Sequence, residues 1–548
     1  MAAHRPGPAG EAGGKRLNSE IYWLAAVILL AVVLRVIVAL SRDMLQLDEV
    51  SYVRMADNLL LGNAPWDITG LSATHYAILY PFIVAAIAVI TRDTVSAGYA
   101  VSILFSSLLI LPTFMFGKVM WNRRVAIAAA ALVAVMPVLI AAGSTIDSHN
   151  VFAFWLFCAL FFGYRMQFTK RCLCGMLAGT CLGLAFLSDP SALFYLVILL
   201  VMLVVVGIRQ EVASYANKAA AQFVLLFFIF AIPGLIWMTY QTGNFTISDR
   251  PVDQVYATVH DLRPGTIEYE KEMMGVGSDG EISAVAIRDG KGFFESLIDD
   301  PGATVWGAAR SAYNDYFRGA QAIIPVWLLP LIGLGMFKVV WTRREALKYA
   351  YFAIVMLPLL ILPAMWGDRR YLLPYMGVAM LLIAKGWMSL EEWSIGTTEE
   401  ISGAQELSRG GRRRVQVAVA ALVIVPLVAL SMWNAYRTEY PVQYKQAGEW
   451  LEGRGDEDVR VMSREPSTAF YAGGDLVELP YATPEETIDY GRSHGADYLV
   501  LSRSLVETLR PQLTELLDTG GRIIPGVEEV YHSGEGTDGE LVIFRISG

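Results

Sequence analysis

Long apolar runs with few charges recur from residue 21 to residue 433, separated by polar segments. A helix of about 20 apolar residues matches the hydrocarbon thickness of a bilayer. The pattern therefore predicts a polytopic α-helical membrane protein with about eleven transmembrane helices. The predicted spans are 21–40, 95–117, 124–142, 149–165, 173–187, 191–208, 219–240, 321–340, 348–365, 371–388 and 414–433.

One apolar segment, 76–90, is too short for a span and predicts a re-entrant helix in the outer leaflet. With this segment re-entrant, the basic loops fall on one side, which the positive-inside tendency places in the cytoplasm. The protein is then expected in the plasma membrane, with its N-terminus cytoplasmic and its C-terminal domain outside. The predicted divisions are a disordered tail 1–20, a transmembrane domain 21–433 with outer loops 41–94 and 241–320, and a soluble α/β domain 434–548.

The α/β assignment comes from alternating patterns in the tail. Strand-like runs and helical patterns follow one another there, as expected of a small α/β domain. Residues 433–548 also hold 21 acidic and 10 basic side chains, which argues against a nucleic-acid partner. The predicted strands are 459–462, 498–501 and 541–546, and the predicted helices are 442–451, 484–493 and 505–517.

Composition agrees with a membrane protein. Of the 548 residues, 55% are hydrophobic and only 17% are charged, which excludes a soluble protein. The four cysteines lie in or beside apolar runs, and the polar segments hold no pair that could form a disulfide framework. We interpret them as packing residues.

Asp48 and Glu49 form an acidic pair directly after the first predicted span. Carboxylates at a membrane rim are costly unless they face water, a partner or a substrate, so they are functional candidates. Asp48 and Tyr52 are one helical turn apart and Gly62 closes the segment, which predicts a short helix along the membrane surface. Asp48 is then either the N-cap of this helix or a general base that takes a proton from a hydroxyl group.

Two histidines are candidate ligands on the predicted outer face. His75 lies at the entry to the short apolar segment that contains Tyr80. It either belongs to an aromatic belt at the water–lipid boundary or binds a phosphate or a divalent metal near Asp48. His260 is a second candidate metal ligand, in an outer loop that either closes over a substrate or is a solvated connector.

Two further polar turns fall on the same predicted face. Asp147 begins a predicted span, where it either caps the helix or contributes to a shared site. Arg369 and Arg370, followed by Tyr371, lie outside against the positive-inside tendency of the other loops. Arginine binds phosphate oxygens in pairs, which favours an anionic headgroup or a phosphate-linked substrate. Pairing with a neighbouring carboxylate or with lipid headgroups is the alternative.

In their order and spacing, these motifs resemble the GT-C superfamily of membrane glycosyltransferases, in the branch of the protein O-mannosyltransferases and lipid A aminoarabinose transferases. The likeness covers nearly the whole chain. One departure is the absence of a Glu-Lys pair that precedes a proline in the aminoarabinose transferases, so that His75 replaces the lysine as the expected phosphate partner. The matching stretches are 48–62, 75–81, 144–147, 368–374, 469–474 and 498–501.

The resemblance implies an enzyme that transfers a sugar from a polyprenyl-phosphate donor to an acceptor at the outer membrane face, with inversion at the anomeric carbon. The acceptors of the family are lipids, polysaccharides or protein hydroxyls, and the likeness does not choose among them. By position, Asp48 is the catalytic base and the two arginines hold the lipid phosphate. The implied site comprises Asp48, Glu49 and Asp147 for catalysis and Tyr52, His75, Tyr80, Arg369, Arg370 and Tyr371 for substrate binding.

Two other classes of function remain open. A transporter or flippase for lipid-linked sugars would also have many spans, but its charges are expected near mid-span, with paired broken helices in matching halves. A non-catalytic scaffold that displays the acidic tail would tolerate alanine at Asp48 and Arg369.

Overall fold

The computed structural model is mostly helical, and one small β-sheet lies in the C-terminal region. For residues 8–19 and 369–371, only the backbone is described. The structure describes residues 8–69, 76–169, 171–209, 213–242, 256–277, 280–282, 300–314, 323–337, 341–360, 369–402, 406–455, 458–534, 536–537 and 539–547.

Within these residues, six helices are long and apolar enough to cross a membrane, and a bent helix pair would make a seventh span. Four shorter apolar helices accompany them, and the total of eleven crossings stays a prediction. The helices before the C-terminal domain are α1 (Pro8–Leu40), α2 (Asp48–Leu60), α3 (Leu79–Thr91), α4 (Thr94–Leu108), α5 (Ile110–Met120), α6 (Arg123–Val135), α7 (Pro137–Gly143), α8 (His149–Thr169), α9 (Cys172–Ser188), α10 (Ala192–Arg209), α11 (Ala213–Thr242), α12 (Ile267–Met274), α13 (Pro301–Ala312), α14 (Leu329–Phe337), α15 (Arg343–Val355), α16 (Met376–Ser402) and α17 (Arg409–Arg437), with 3₁₀ turns at Val326–Leu328, Leu357–Leu360 and Arg369–Tyr375.

Three of these elements bear directly on the sequence expectations. The segment predicted to be re-entrant forms α3, whose 13 residues are too few for a full span. The predicted span 124–142 is broken into α6 and α7 with a bend of 55°. The break falls at Met136, because Pro137 lacks the N–H that would continue the helix. Helix α1 begins at Pro8, inside the stretch predicted to be a disordered tail.

Glycines allow several membrane helices to approach closely. A Cβ atom at Gly179 of α9 would lie 2.2 Å from the carbonyl oxygen of Phe223 in α11. At Gly386 of α16, a Cβ atom would lie 1.8 Å from the carbonyl oxygen of Leu331 in α14. Helices pack in lipid mainly through close van der Waals contact, so these positions set the spacing of the bundle.

The C-terminal domain is built on a five-stranded mixed sheet in the order β2-β1-β3-β5-β4. Strand β1 pairs in parallel with β2 and β3, whereas β5 pairs antiparallel with β3 and β4. The predicted α/β domain is therefore present, although the sequence did not indicate β2 and β4. Its elements are α18 (Val442–Glu452), β1 (Arg460–Ser463), α19 (Pro466–Tyr471), β2 (Asp475–Glu478), α20 (Pro484–Ser493), β3 (Tyr498–Ser502), α21 (Arg503–Leu509), a 3₁₀ turn (Pro511–Leu513), α22 (Thr514–Asp518), β4 (Val527–Ser533) and β5 (Leu541–Ile546).

This domain rests on helix α2 and on the loop that precedes it. The guanidinium of Arg54 donates to the carbonyl oxygen of Gly474 and lies 3.2 Å from the Asp475 carboxylate. The hydroxyl of Tyr471 accepts a hydrogen bond of 3.0 Å from the backbone N–H of Leu45. The C-terminal domain thus helps to hold the chain around Asp48.

A second contact joins the domain to the long loop between α11 and α14. Glu270 of α12 is fully buried and binds Arg464 at 3.0 Å and Arg510 at 2.5 Å. Burial alone would raise the pKa of Glu270, but the two arginines outweigh it and the pKa is lowered. The backbone N–H of Tyr481 also donates to the carbonyl oxygen of Met274 at 2.6 Å. The described part of this loop is therefore docked on the domain.

Candidate active site

Asp48 is the first residue of α2 and is half-buried. The N-cap position belongs to Leu47, whose side chain makes no capping bond, so Asp48 is not the N-cap. Leu47 has a φ of 41°, in a region that branched side chains rarely adopt. Such local strain concentrates at functional sites. The carboxylate also lies where the positive end of the helix dipole favours a negative charge.

Three tyrosines surround this end of α2. The hydroxyl of Tyr76 lies 3.4 Å from Oδ1 of Asp48. The ring of Tyr52 packs edge-on against Tyr76 and Tyr80, with ring centroids 5.2 and 4.9 Å apart. The buried hydroxyl of Tyr80 donates to the carbonyl oxygen of Gly98 at 3.0 Å, which joins α3 to α4. Helices α2, α3 and α4 therefore form one wall beside Asp48.

Glu49 is buried beneath Asp48 and is held on several sides. Its carboxylate lies 2.5 Å from Arg42, and it accepts backbone N–H bonds from Gln46 at 2.9 Å and Ile146 at 3.0 Å. Burial raises the pKa of Glu49, although Arg42 and the two N–H groups oppose this rise. These contacts tie the loop after α1 to the loop before α8.

Asp147 lies in that second loop and is also buried. Its Oδ1 accepts a hydrogen bond from the backbone N–H of His149 at 2.9 Å and lies 2.6 Å from Nδ1 of the same residue. Asp147 therefore lies two residues before the start of α8, where it pairs with the backbone N–H and the side chain of a buried histidine. His149 stands in the sequence motif around Asp147 but received no role there.

The structure brings the two acidic segments together. Tyr52 donates a hydrogen bond of 2.7 Å to the hydroxyl of Ser148, which follows Asp147. Glu49 accepts from Ile146, which precedes Asp147. Both contacts join α2 to the same short loop, so the predicted acidic positions 48 and 147 belong to one region.

The other predicted site residues belong to other segments of the chain. Arg369, Arg370 and Tyr371 begin the 3₁₀ turn Arg369–Tyr375, which packs against α8 and α7. His75 lies outside the described residues. His260 is exposed and stacks on Tyr256, with ring centroids 4.1 Å apart.

The arrangement of the described side chains shows whether they could bind a metal ion. Within the described ranges, no group of three or more His, Cys, Asp or Glu side chains is arranged to hold a metal ion. His260 lies 2.9 Å from the carbonyl oxygen of Tyr256 through its Nδ1. Of the two candidate ligands, His260 therefore joins no such group among the described residues, and His75 lies outside them.

Sequence analysis missed Arg35, which is fully buried within the first span. A single arginine inside an apolar run was the available signal, because charged residues within spans are functional candidates. It also missed a cleft of about 730 Å³ in the C-terminal domain, lined by residues between Arg503 and Glu540. That cleft contains no residue of the Asp48 region.

The family profile described as dolichyl-phosphate-mannose-protein mannosyltransferase matches residues 75–237. No curated protein matches the sequence at a significant level. The matched segment runs from the entry to α3 through most of α11 and includes the Asp147 loop.

Solved structures resemble the fold over nearly the whole chain. An oligosaccharyltransferase AglB from Archaeoglobus fulgidus, in complex with an inhibitory peptide and a dolichol-phosphate, is 13% identical with a TM-score of 0.55, covering 89% of this chain and 70% of that one. ArnT from Cupriavidus metallidurans, bound to undecaprenyl phosphate, is 10% identical with a TM-score of 0.54, covering 95% of this chain and 97% of that one. Another structure of the archaeal enzyme, in complex with Zn and sulfate, is 13% identical with a TM-score of 0.58, covering 88% and 68%.

These similarities confirm the resemblance inferred from the motifs and the predicted fold class. The apolar helices and the membrane-embedded neighbours show an integral membrane protein. The chain has the fold of the GT-C membrane glycosyltransferases, with a small α/β domain at its C-terminal end.

Proposed function

We propose that the protein is an inverting glycosyltransferase that moves a sugar from a polyprenyl-phosphate donor to a hydroxyl group of a lipid, glycan or protein acceptor. The observation that carries this proposal is the difference between neighbouring carboxylates. Glu49 and Asp147 are buried, whereas Asp48 is half-buried at the strained start of α2. Asp48 is thus the carboxylate of the region best placed to meet an acceptor.

In the proposed reaction, Asp48 takes the proton of the acceptor hydroxyl as its oxygen attacks the anomeric carbon. The bond from that carbon to the phosphate oxygen breaks on the opposite face, and its electron pair leaves with the polyprenyl phosphate. Arg369 and Arg370 are the proposed partners of the phosphate charge that develops. The bound lipids in the AglB and ArnT structures, a dolichol-phosphate and undecaprenyl phosphate, support a donor of this class.

The remaining substrate contacts are proposed from position. Tyr52 and Tyr80 are buried, so they are proposed to shape the wall beside Asp48, whereas Tyr371 and His75 are proposed substrate contacts placed by the motif resemblance. Glu49 would act by fixing the start of α2, since its oxygens are occupied by Arg42 and two backbone N–H groups. We place this site on the outer face, with the N-terminus in the cytoplasm, because the basic loops then lie inside.

The test is sugar transfer by the purified full-length protein in nanodiscs, supplied with radiolabelled polyprenyl-phosphate sugars and an envelope extract. Asp48→Asn should lower transfer by at least about 100-fold, as expected for loss of a general base. Asp43→Asn is the matched control, because Asp43 is exposed in the same loop. Transfer by Asp48→Asn at the wild-type rate would remove Asp48 from the base role.

The same preparation distinguishes the transporter alternative. Label that crosses the bilayer without moving to an acceptor, in both the wild type and Asp48→Asn, would indicate a flippase. Label that enters an acceptor fraction only with the wild type and the control establishes transfer and identifies the acceptor class.

A further inference from the structure

Arg35 lies about 7.5 Å below the outer end of α1, given a rise of about 1.5 Å per residue. Its side chain is fully buried within the transmembrane region. The guanidinium donates to the hydroxyl of Ser106 at 2.8 Å and to the carbonyl oxygens of Ala134 and Val133, both at 3.3 Å. It also donates to the carbonyl oxygen of Ala31 at 3.1 Å, so four neutral oxygens receive its hydrogen bonds.

Two of these acceptors are carbonyl groups at the break between α6 and α7. In a continuous helix, the carbonyl oxygen of Val133 would accept the N–H of residue 137, but Pro137 has none. A backbone carbonyl left without a donor in the hydrocarbon region costs several kcal/mol. Arg35 supplies the donors that the broken helix lacks, and the bend of 55° can therefore persist within the membrane.

The same network continues to the candidate active site. Ser106 donates to the carbonyl oxygen of Leu139 in α7 at 3.1 Å. At the end of α7, the hydroxyl of Ser144 lies 2.9 Å from the carbonyl oxygen of Arg35 itself and 2.8 Å from that of Ile140, so its single proton is shared between these two acceptors. The loop that follows holds Asp147, and its Ile146 N–H binds Glu49.

Gly143 shows how closely these groups fit. A Cβ atom at this position would lie 2.5 Å from Oγ of Ser106 and 2.7 Å from Nε of Arg35. An alanine there would have to displace the guanidinium, the hydroxyl or α7 itself. Gly143 therefore offers a way to disturb the network without removing the buried charge.

We infer that Arg35 is a positioning residue of the active site: it holds the break at Pro137 and so delivers the loop with Asp147 to the start of α2. This inference rests on the proposed glycosyl transfer. Arg35 does not touch the substrate in this scheme, because it acts through α7 and Ser144. Its loss should lower turnover while leaving donor affinity largely intact.

The experiment compares Gly143→Ala with Gly333→Ala in the full-length protein in nanodiscs. Gly333 is the control, because a Cβ atom there meets nothing within 4 Å. We expect Gly143→Ala to lower kcat for sugar transfer by at least tenfold, with the donor Kd within about twofold, and Gly333→Ala to match the wild type. Equal kcat values for the two variants would overturn the inference.

Arg35 is tested directly with Arg35→Gln, Arg35→Lys and the double variant Arg35→Gln with Pro137→Ala. Lysine keeps the positive charge and three N–H donors, whereas glutamine is neutral and shorter with two, so Arg35→Lys should retain more kcat than Arg35→Gln. The double variant restores the N–H for Val133 but removes the cause of the break, so it should recover folded yield without recovering transfer. Recovery of both would show that Arg35 only stabilises the fold.

A readout that needs no activity separates this inference from the proposed function. Ile146 is fully buried, so an I146C variant should react slowly with a maleimide, measured by mass spectrometry of its peptide. Adding Gly143→Ala should accelerate labelling at least fivefold, whereas adding Gly333→Ala should not. Unchanged labelling would overturn the inference. If Gly143→Ala accelerates the labelling but the wild-type protein transfers no sugar, the proposed function is refuted and the positioning role of Arg35 is not.

Discussion

The carboxylate of Glu49 accepts a hydrogen bond of 3.0 Å from the backbone N–H of Ile146, although 97 positions separate the two residues. Each is the direct neighbour of a candidate acid, Asp48 in one case and Asp147 in the other. This single contact therefore fixes how the surface helix α2 faces the loop before α8. The buried partner Arg42 completes the arrangement from the end of the first span.

Glu49→Gln should destabilise the protein. The glutamine can still accept from Ile146, but Arg42 loses its buried counter-charge, and removing one partner of a buried ion pair typically costs about 3–5 kcal/mol. We expect the unfolding temperature of the full-length protein in detergent to fall by several degrees. Glu452→Gln, at an exposed position, is the control and should leave the unfolding temperature unchanged. If the two variants unfold at the same temperature, the contact between Glu49 and Arg42 does not contribute to stability.

Glu270→Gln should release the outer loop from the C-terminal domain. Arg464 and Arg510 both pair with this buried carboxylate, so the neutral side chain leaves two cations poorly compensated. Limited proteolysis should then cut the segment 256–282 at least several-fold faster than in the wild type. The control is Glu272→Gln, because Glu272 is exposed and its carboxylate meets only Tyr256 at 3.2 Å among the contacts described. Equal cleavage rates for the two variants would show that Glu270 does not hold this loop on the C-terminal domain.

Stability should depend on pH through Glu540. Hydrogen bonds from Arg503, at 2.8 and 2.9 Å, hold the pKa of Glu540 at about 2, below its ordinary value of 4.5. A lowered pKa means that the ionised group stabilises the fold above about pH 4.5 and loses this effect as pH falls toward 2. Glu540→Gln should therefore unfold at a lower temperature than the wild type at pH 7.

The difference in unfolding temperature between the wild type and Glu540→Gln should narrow as the pH is lowered from about 4.5 toward 2. It is measured by thermal unfolding of the full-length protein. Glu528→Gln, on the exposed side of β4, serves as the control and should show no such trend. A difference that stays constant over this range would mean that Arg503 does not stabilise the ionised carboxylate.

Gly386→Ala should disrupt the contact between α14 and α16. The new methyl group would lie 1.8 Å from the carbonyl oxygen of Leu331, a backbone atom that cannot move without shifting its helix. We expect a marked loss of folded protein in size-exclusion chromatography after detergent extraction. Gly396→Ala lies on the same helix with nothing within 4 Å of the added atom, and should behave like the wild type. Normal yield of Gly386→Ala would show that the two helices can separate at no cost.

The local patterns were strong enough to predict most elements. Apolar runs anticipated helices such as α8 and α9, and the spacing after Asp48 anticipated α2, which the structure bounds at Leu60. In the tail, the helix 484–493 and the strand 541–546 were predicted with the bounds that the structure has. Strands β2 and β4 escaped prediction because they form the two edges of the sheet, where fewer of their residues are buried than in the central strands.

The site was predicted less completely, since its contacts join residues far apart in the chain. No pattern near Glu49 in the sequence predicts its contact with Ile146. No pattern near Arg35 predicts its hydrogen bonds to Val133 and Ala134. The span 124–142 was predicted without a break; Pro137 is a local signal for one, but the persistence of the break depends on donors from another helix. These partners are chosen by packing, which a local pattern does not encode.

The sequence by itself determined that this is a membrane protein with a surface helix after its first span and a separate α/β domain, because hydrophobic length and period are local properties of the chain. Only the tertiary structure decided which of these carboxylates are buried and which one is half-buried. Burial, ion pairing and helix breaks depend on neighbours that the fold brings together. Asp48 and Glu49 are adjacent in the chain, but Asp48 is half-buried and Glu49 is buried because the fold gives them different neighbours.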